Sequence, residues 1–147
     1  MTAELAELGT RSARLYYRYC RAVDEGNLDE LRAMVTDDVR ITRGDQPEEH
    51  GVEAFLDVYR AHNAQRIPVC KHVVTNVLAE RQGDEIVTHA YFQATFLKDD
   101  ETRVIFGVYD DVHVEIDGEL KLAHKRITAQ RTLLLNPAVA ATYVQAR

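Results

Sequence analysis

The sequence predicts an α+β domain in which three helices lie across a strongly curved antiparallel sheet and close a cone-shaped pocket. Three observations carry that expectation. Apolar residues in the N-terminal part recur at three- and four-residue steps, as on amphipathic helices. From Val69 onward, β-branched and aromatic residues run in long stretches, as in strands. Three turn signals, RQGD, KDDE and IDGE, divide that half into four strands, and Gly83 and Gly118 supply the positive φ of tight hairpins. Helices segregated from a run of strands define the class, and strands this long curl enough to enclose a pocket.

The first helix carries Leu8, Leu15, Tyr16, Tyr19, Cys20 and Val23 on one face and is broken by Gly26. Asn27 is a natural N-cap for the second, with Glu30 three residues on as in a capping box. That helix turns Leu28, Leu31, Met34 and Val35 inward. A short strand, Val39 to Thr42, precedes the polar loop RGDQPEEH. The third helix is expected over Gly51 to Asn63 with Phe55, Leu56 and Tyr59 inward. The strand at VCKHVVTNVLAE puts His72, Val74, Asn76 and Leu78 on one face. A two-residue turn at Gln82-Gly83 sets His72 opposite Gln93 and Asn76 opposite His89. A turn at Asp117-Gly118 sets Asp110 opposite Lys125. In the third strand Val104, Phe106, Val108, Val112 and Val114 form an apolar face that includes Asp110, against a polar face with Tyr109, Asp111 and His113. In the last strand Ala123, Ile127 and Ala129 form an apolar face interrupted by Lys125. The pocket wall is therefore expected to be apolar, interrupted by His72, Asn76, Gln93, Asp110 and Lys125.

One domain accounts for all 147 residues, a length that buries a sizeable core without staples. The net charge of −6 argues against nucleic-acid binding and against docking on anionic membranes. The absence of a long apolar run or a secretory leader, with Cys20 and Cys70 in no metal or redox spacing, points to a cytoplasmic protein. His50, His62, His113 and His124 show no ligand spacing, so no metal and no cofactor are expected, and no phosphate loop, nucleophile elbow or dinucleotide fingerprint is present. Arg43, after the first short strand, is either a surface charge or a clamp for an acidic or phenolic ligand. Asp110 with Lys125 is either a buried ion pair or a carboxyl turned to a ligand.

The stretch RYCRAVDEGNLDELRAMVTDDVRITRGD, followed by a helix and HVVTNV, resembles the SnoaL-like group, over about Leu8 to Arg131. The resemblance implies the nuclear-transport-factor-2-like cone. That fold serves dehydratases, isomerases and non-catalytic subunits alike. Compared with scytalone dehydratases, Asp24 and His72 stand at the positions of the Asp–His pair, while Arg43 and Thr95 replace that family's Tyr and second His. Compared with ketosteroid isomerases, Tyr19 and Asp110 match the hydrogen-bonding Tyr and the oxyanion Asp, but Arg43 replaces the proton-shuttling Asp. The small β subunit of ring-hydroxylating dioxygenases also carries a strand ending in TNV.

The resemblance thus implies a cofactor-independent dehydratase or isomerase acting on a hydrophobic oxygenated ring metabolite, polyketide-like or steroid-like. His72 would be the base and Asp24 its orienting partner, with Tyr19, Asn76, Gln93, Asp110 and Arg43 as substrate contacts. Homodimers or homotrimers are implied, through an outer sheet face bearing Ile105 and Tyr109. The alternatives are a non-catalytic small subunit or a ligand-binding module, in which His72 and Asn76 only satisfy the interior.

Overall fold

The computed structural model describes residues 3–136 of the chain. Its elements are α1 (Ala3–Glu25), α2 (Leu28–Ala33), β1 (Val35–Arg43), β2 (Glu49–His50), α3 (Val52–Ala64), β3 (Val69–Gln82), β4 (Glu85–Leu97), β5 (Thr102–Tyr109), β6 (Val112–Ile116) and β7 (Glu119–Leu135). The strands form one sheet in the order β2-β1-β7-β5-β4-β3, with β6 paired to β4 and β7. All pairings are antiparallel except β1 with β7. The expected α+β architecture is the observed one. β1 is longer than the predicted strand, β2 is an addition, and α3 starts one residue late behind Gly51.

Local chemistry fixes the helix ends. At the end of α1 the Asn27 N–H bonds the Ala22 carbonyl at 2.8 Å and the Gly26 N–H bonds the Val23 carbonyl at 3.2 Å. This paired closure needs a left-handed residue, and Gly26 supplies it at φ +67. Asn27 then caps α2 by accepting from the Glu30 N–H at 3.0 Å. The Glu30 carboxylate does not close the predicted capping box; it receives Arg18 of α1 at 2.7 Å.

The core lies between α1, α3 and the inner face of the sheet, and buries Tyr16, Tyr19, Phe55, Leu56, Ile41, Phe92 and Tyr109. Sheet curvature comes from bulges, and these overturn several sequence expectations. The β3–β4 turn is Gly83-Asp84, so Leu78, not Asn76, pairs with His89. A bulge between Thr75 and Leu78 then shifts the register by one residue, and His72 faces Ala94 rather than Gln93. Asn76 sits in that bulge at φ +54, a conformation its carboxamide tolerates and a β-branched residue would not. Beyond it the strand's faces exchange, and Leu78 points outward, 69% exposed.

The third predicted strand is two strands, broken at Asp110-Asp111. The Asp117-Gly118 turn forms as predicted, with Ile116 opposite Glu119, but a bulge at Ala123 shifts the register beyond it. Asp111, not Asp110, therefore reaches Lys125. The faces are also the reverse of those expected. Tyr109, Asp111 and His113 are buried, whereas Phe106 is 40% exposed on the outer surface. Ile105 likewise packs against the core, so neither it nor Tyr109 serves the outer face.

Gly107 is buried opposite a third bulge, and a Cβ there would overlap the Thr128 carbonyl oxygen and the Phe92 ring. The Phe92 ring stacks on Tyr109 with centroids 4.3 Å apart. The missing side chain thus lets the sheet bend tightly around an aromatic pair.

Candidate active site

Two elements bring the central pair together. The closure at Gly26 ends α1 so that Asp24 lies in its last turn, above the free edge of β3. On β3, Cys70, His72 and Val74 point inward, while Val69, Lys71 and Val73 point out. An edge strand leaves alternate backbone N–H groups unpaired, and the Asp24 carboxylate caps one of them, accepting the His72 N–H at 3.0 and 3.1 Å. The same carboxylate lies 2.7 Å from His72 Nδ1. An ionised carboxylate only accepts hydrogen bonds, so Nδ1 carries the proton and Nε2 is left with its lone pair. The helix dipole opposes an anion at this end, and the donors from His72 offset it. Side-chain exposures of 10% for His72 and 12% for Asp24 shelter the pair without sealing it.

The structure adds two residues that the sequence reading left aside. Cys70 Sγ lies 3.6 Å from His72 Nδ1 and 3.7 Å from His62 Nε2. Burial, with the neighbouring Asp24 charge, pushes the Cys70 thiol up to about 12, so it is a protonated donor rather than a nucleophile. His62 comes from the last turn of α3. Its ring stands 6.1 Å from that of His72, and both pack against Phe96. Burial, followed by the proximity of His72, holds His62 below the usual imidazole range. Cys70 was legible as the residue two before His72 on one strand face. His62 was not, since only the fold brings the end of α3 to β3.

A groove of about 360 Å³ between α1 and β3 opens onto the pair, lined by Tyr17, Cys20, Asp24, Lys71, His72 and Val74 among others. It adjoins a larger groove of about 1020 Å³ along the N-terminal half of α1; Tyr17 lines both. Sheltered imidazole, oriented carboxylate and adjoining apolar groove together allow proton abstraction from a bound carbon acid.

A family model described as the SnoaL-like domain matches residues 10–126. The chain belongs to this family. Its members' nuclear-transport-factor-2-like cone is also what solved structures show. A candidate scytalone dehydratase from Novosphingobium aromaticivorans superposes with a TM-score of 0.79 at 18% identity, covering 88% of each chain. A hexachlorocyclohexane dehydrochlorinase, LinA type 3 from Novosphingobium barchaimii, gives 0.75 at 21% identity over 90% of this chain and 94% of that one. A nuclear-transport-factor-2-like protein with a cystatin-like fold, also from N. aromaticivorans, gives 0.71 at 14% identity over 86% and 84%. At these identities the likeness concerns the fold. No curated protein matches the chain.

The remaining residues expected at the site of this SnoaL-like domain are dispersed. Tyr19 is buried, with its hydroxyl 2.9 Å from that of Tyr59. Gln93 lies on the outer sheet face rather than the pocket wall, with Thr95 at 3.5 Å. Arg43 is held by Glu49 at 2.9 Å. Asn76 and Asp110 line the larger groove instead of the one beside His72. Asp110 pairs there with His89 at 2.6 Å, half exposed, so it is not a buried neutral carboxyl. Lys125 is fully buried against Asp111 at 2.7 Å and sits over the rings of Tyr109, Tyr19 and Tyr16, with its Nζ 3.1, 4.5 and 5.1 Å from their centroids. Burial lowers its affinity for the proton, and Asp111 opposes that. This is a satisfied interior pair, not a substrate contact. Among the described residues no helix is long and apolar enough to cross a membrane.

Proposed function

We propose that the protein is a cofactor-independent lyase that eliminates water or a similar leaving group from a hydrophobic ring compound. One observation carries this reading: Asp24 holds His72 by both its backbone N–H and its Nδ1, in a sheltered pair on a small groove of mixed polarity that shares Tyr17 with a larger one. His72 Nε2 takes a proton from a ring carbon, the C–H electron pair forms the new double bond, and the leaving group departs from the adjacent carbon. When that group is hydroxyl, the imidazolium returns the proton to it and water leaves, which restores the neutral base. Asp24 stabilises the imidazolium and is not consumed. Two structural neighbours bear names of eliminating enzymes, one for loss of water and one for loss of HCl, which supports the same reaction class. The larger groove, with Asn76 and Asp110 in its lining, is assigned to the body of the substrate.

The outer face of the sheet exposes Val73, Tyr91 and Phe106, and this surface is assigned to a homodimer or homotrimer contact.

The test is a panel of oxygenated and halogenated ring compounds, including scytalone and hexachlorocyclohexane, followed by mass spectrometry for products lacking water or HCl. Turnover by the wild type that is lost in His72→Ala is the expected result. Turnover that persists unchanged in His72→Ala would overturn the assignment.

A further inference from the structure

The dyad has a second property that base catalysis does not use. The ligating atoms of Asp24, Cys70 and His72 lie within 4.8 Å of one another, and they are an oxygen, a sulfur and a nitrogen. We propose that these three side chains form a site for a borderline-soft divalent cation of the zinc class, and that the ion silences the enzyme by taking His72 Nδ1 and so placing the ring proton on Nε2, the base. The silencing rests on the elimination reading; the binding does not.

The geometry is close to what such an ion requires. With Zn–N of about 2.0 Å and Zn–S of about 2.3 Å, nitrogen and sulfur on one tetrahedral ion stand roughly 3.5 Å apart. Cys70 Sγ stands 3.6 Å from His72 Nδ1. Nitrogen and oxygen on the same ion stand roughly 3.3 Å apart, so the 2.7 Å contact between Nδ1 and the Asp24 oxygen widens as the ion replaces the shared proton. The other Asp24 oxygen stays within reach of the His72 N–H, which keeps the carboxylate oriented. Binding releases one proton, from the thiol, while the Nδ1 proton moves to Nε2, and leaves a thiolate, a neutral imidazole and a carboxylate on the metal. His62, 3.7 Å from the sulfur, holds the thiolate from outside the triad. The fourth corner is left to water. The groove beside Asp24 and His72 supplies the entry path.

The donor set is what distinguishes this cluster from the histidine–carboxylate pairs of His50 and His124 on Glu48, which are 3.1 and 3.2 Å contacts with no sulfur. Co²⁺ is the probe that reads the difference, because a cobalt-bound thiolate gives a near-ultraviolet charge-transfer band that nitrogen and oxygen ligands do not. The full chain, with its cysteines reduced, is titrated with Co²⁺ and then with Zn²⁺. The expected result is a charge-transfer band that Zn²⁺ bleaches. It disappears in Cys70→Ser, persists in Cys20→Ser, and needs about tenfold more cobalt in His62→Ala.

No band at cobalt excess, a band that survives Cys70→Ser, or visible cobalt bands without charge transfer each overturns the site. The titration uses no substrate, so its failure leaves the elimination reading standing. Where turnover is in hand, Zn²⁺ at saturating cobalt-competing levels should abolish it in the wild type. Activity unchanged by bound Zn²⁺ overturns the silencing.

Discussion

At the scale of single residues, the interior is organised by paired charges whose partners come from distant parts of the chain. Lys125 and Asp111 are both fully buried, and Asp111 also accepts the Arg126 N–H at 2.8 Å. Removing one partner strands the other charge away from water. Lys125→Met should therefore cost about 3–5 kcal/mol in urea unfolding, and Lys125→Met with Asp111→Asn should recover part of that loss while keeping an acceptor for the Arg126 N–H. A single variant as stable as the wild type would show that the pair is solvated in solution. His113 presents the opposite case. It is fully buried beside Tyr16, and among the described residues neither ring nitrogen has a hydrogen-bond partner. Burial holds it down to about 4 from 6.5. The unfolded chain thus binds this proton first, so stability is fully present above about pH 6.5 and falls as the pH drops towards about 4, by up to about 3 kcal/mol. His62 and His124 are lowered in the same direction. The pH series of unfolding midpoints should be flatter in His113→Leu. An unchanged acid limb in that variant would place the loss elsewhere.

At the scale of elements, the helix faces and the Asp117-Gly118 turn were legible, and the Gln82-Gly83 turn and the strand registers were not. The apolar spacing of α1, the Asn27 cap, the three inward residues of α3 and the Asp117-Gly118 turn all stand where the sequence put them. Each is a local signal. The misread registers follow from a β3–β4 turn one residue later than expected and from bulges, each of which exchanges a strand's faces with little local warning. Alternation also misled because both sheet faces carry apolar residues. Val104, Phe106 and Val108 face outward, while the inner face of the same region holds Asp111 and His113. One signal was available. A glycine inside the apolar run VIFGVYD marks a bend or a close approach, and Gly107 provides both. Gly107→Ala forces Phe92 or the β7 backbone to move and should cost about 1–3 kcal/mol by denaturant unfolding. A neutral effect would mean that the sheet relaxes freely there.

At the scale of the whole molecule, the cone places its chemistry where the end of α1 crosses the free edge of β3. Asp24 and His72 are separated by 48 residues in sequence, and the family resemblance brought them together where spacing alone does not. The residues expected to complete the site did not gather around them, because Gln93 and Asn76 depended on a register that the bulge changes, and Asp110 on one changed at Ala123. The Asp24–His72 dyad therefore carries the chemistry proposed for the protein. Its most direct measurement is the rate of elimination by wild type, His72→Ala and Asp24→Asn on one substrate from the panel, with thermal melts to confirm that each variant is folded. The account predicts a loss of about 10²–10⁴ in kcat for His72→Ala and a smaller loss for Asp24→Asn. Folded variants that turn over at the wild-type rate would contradict it.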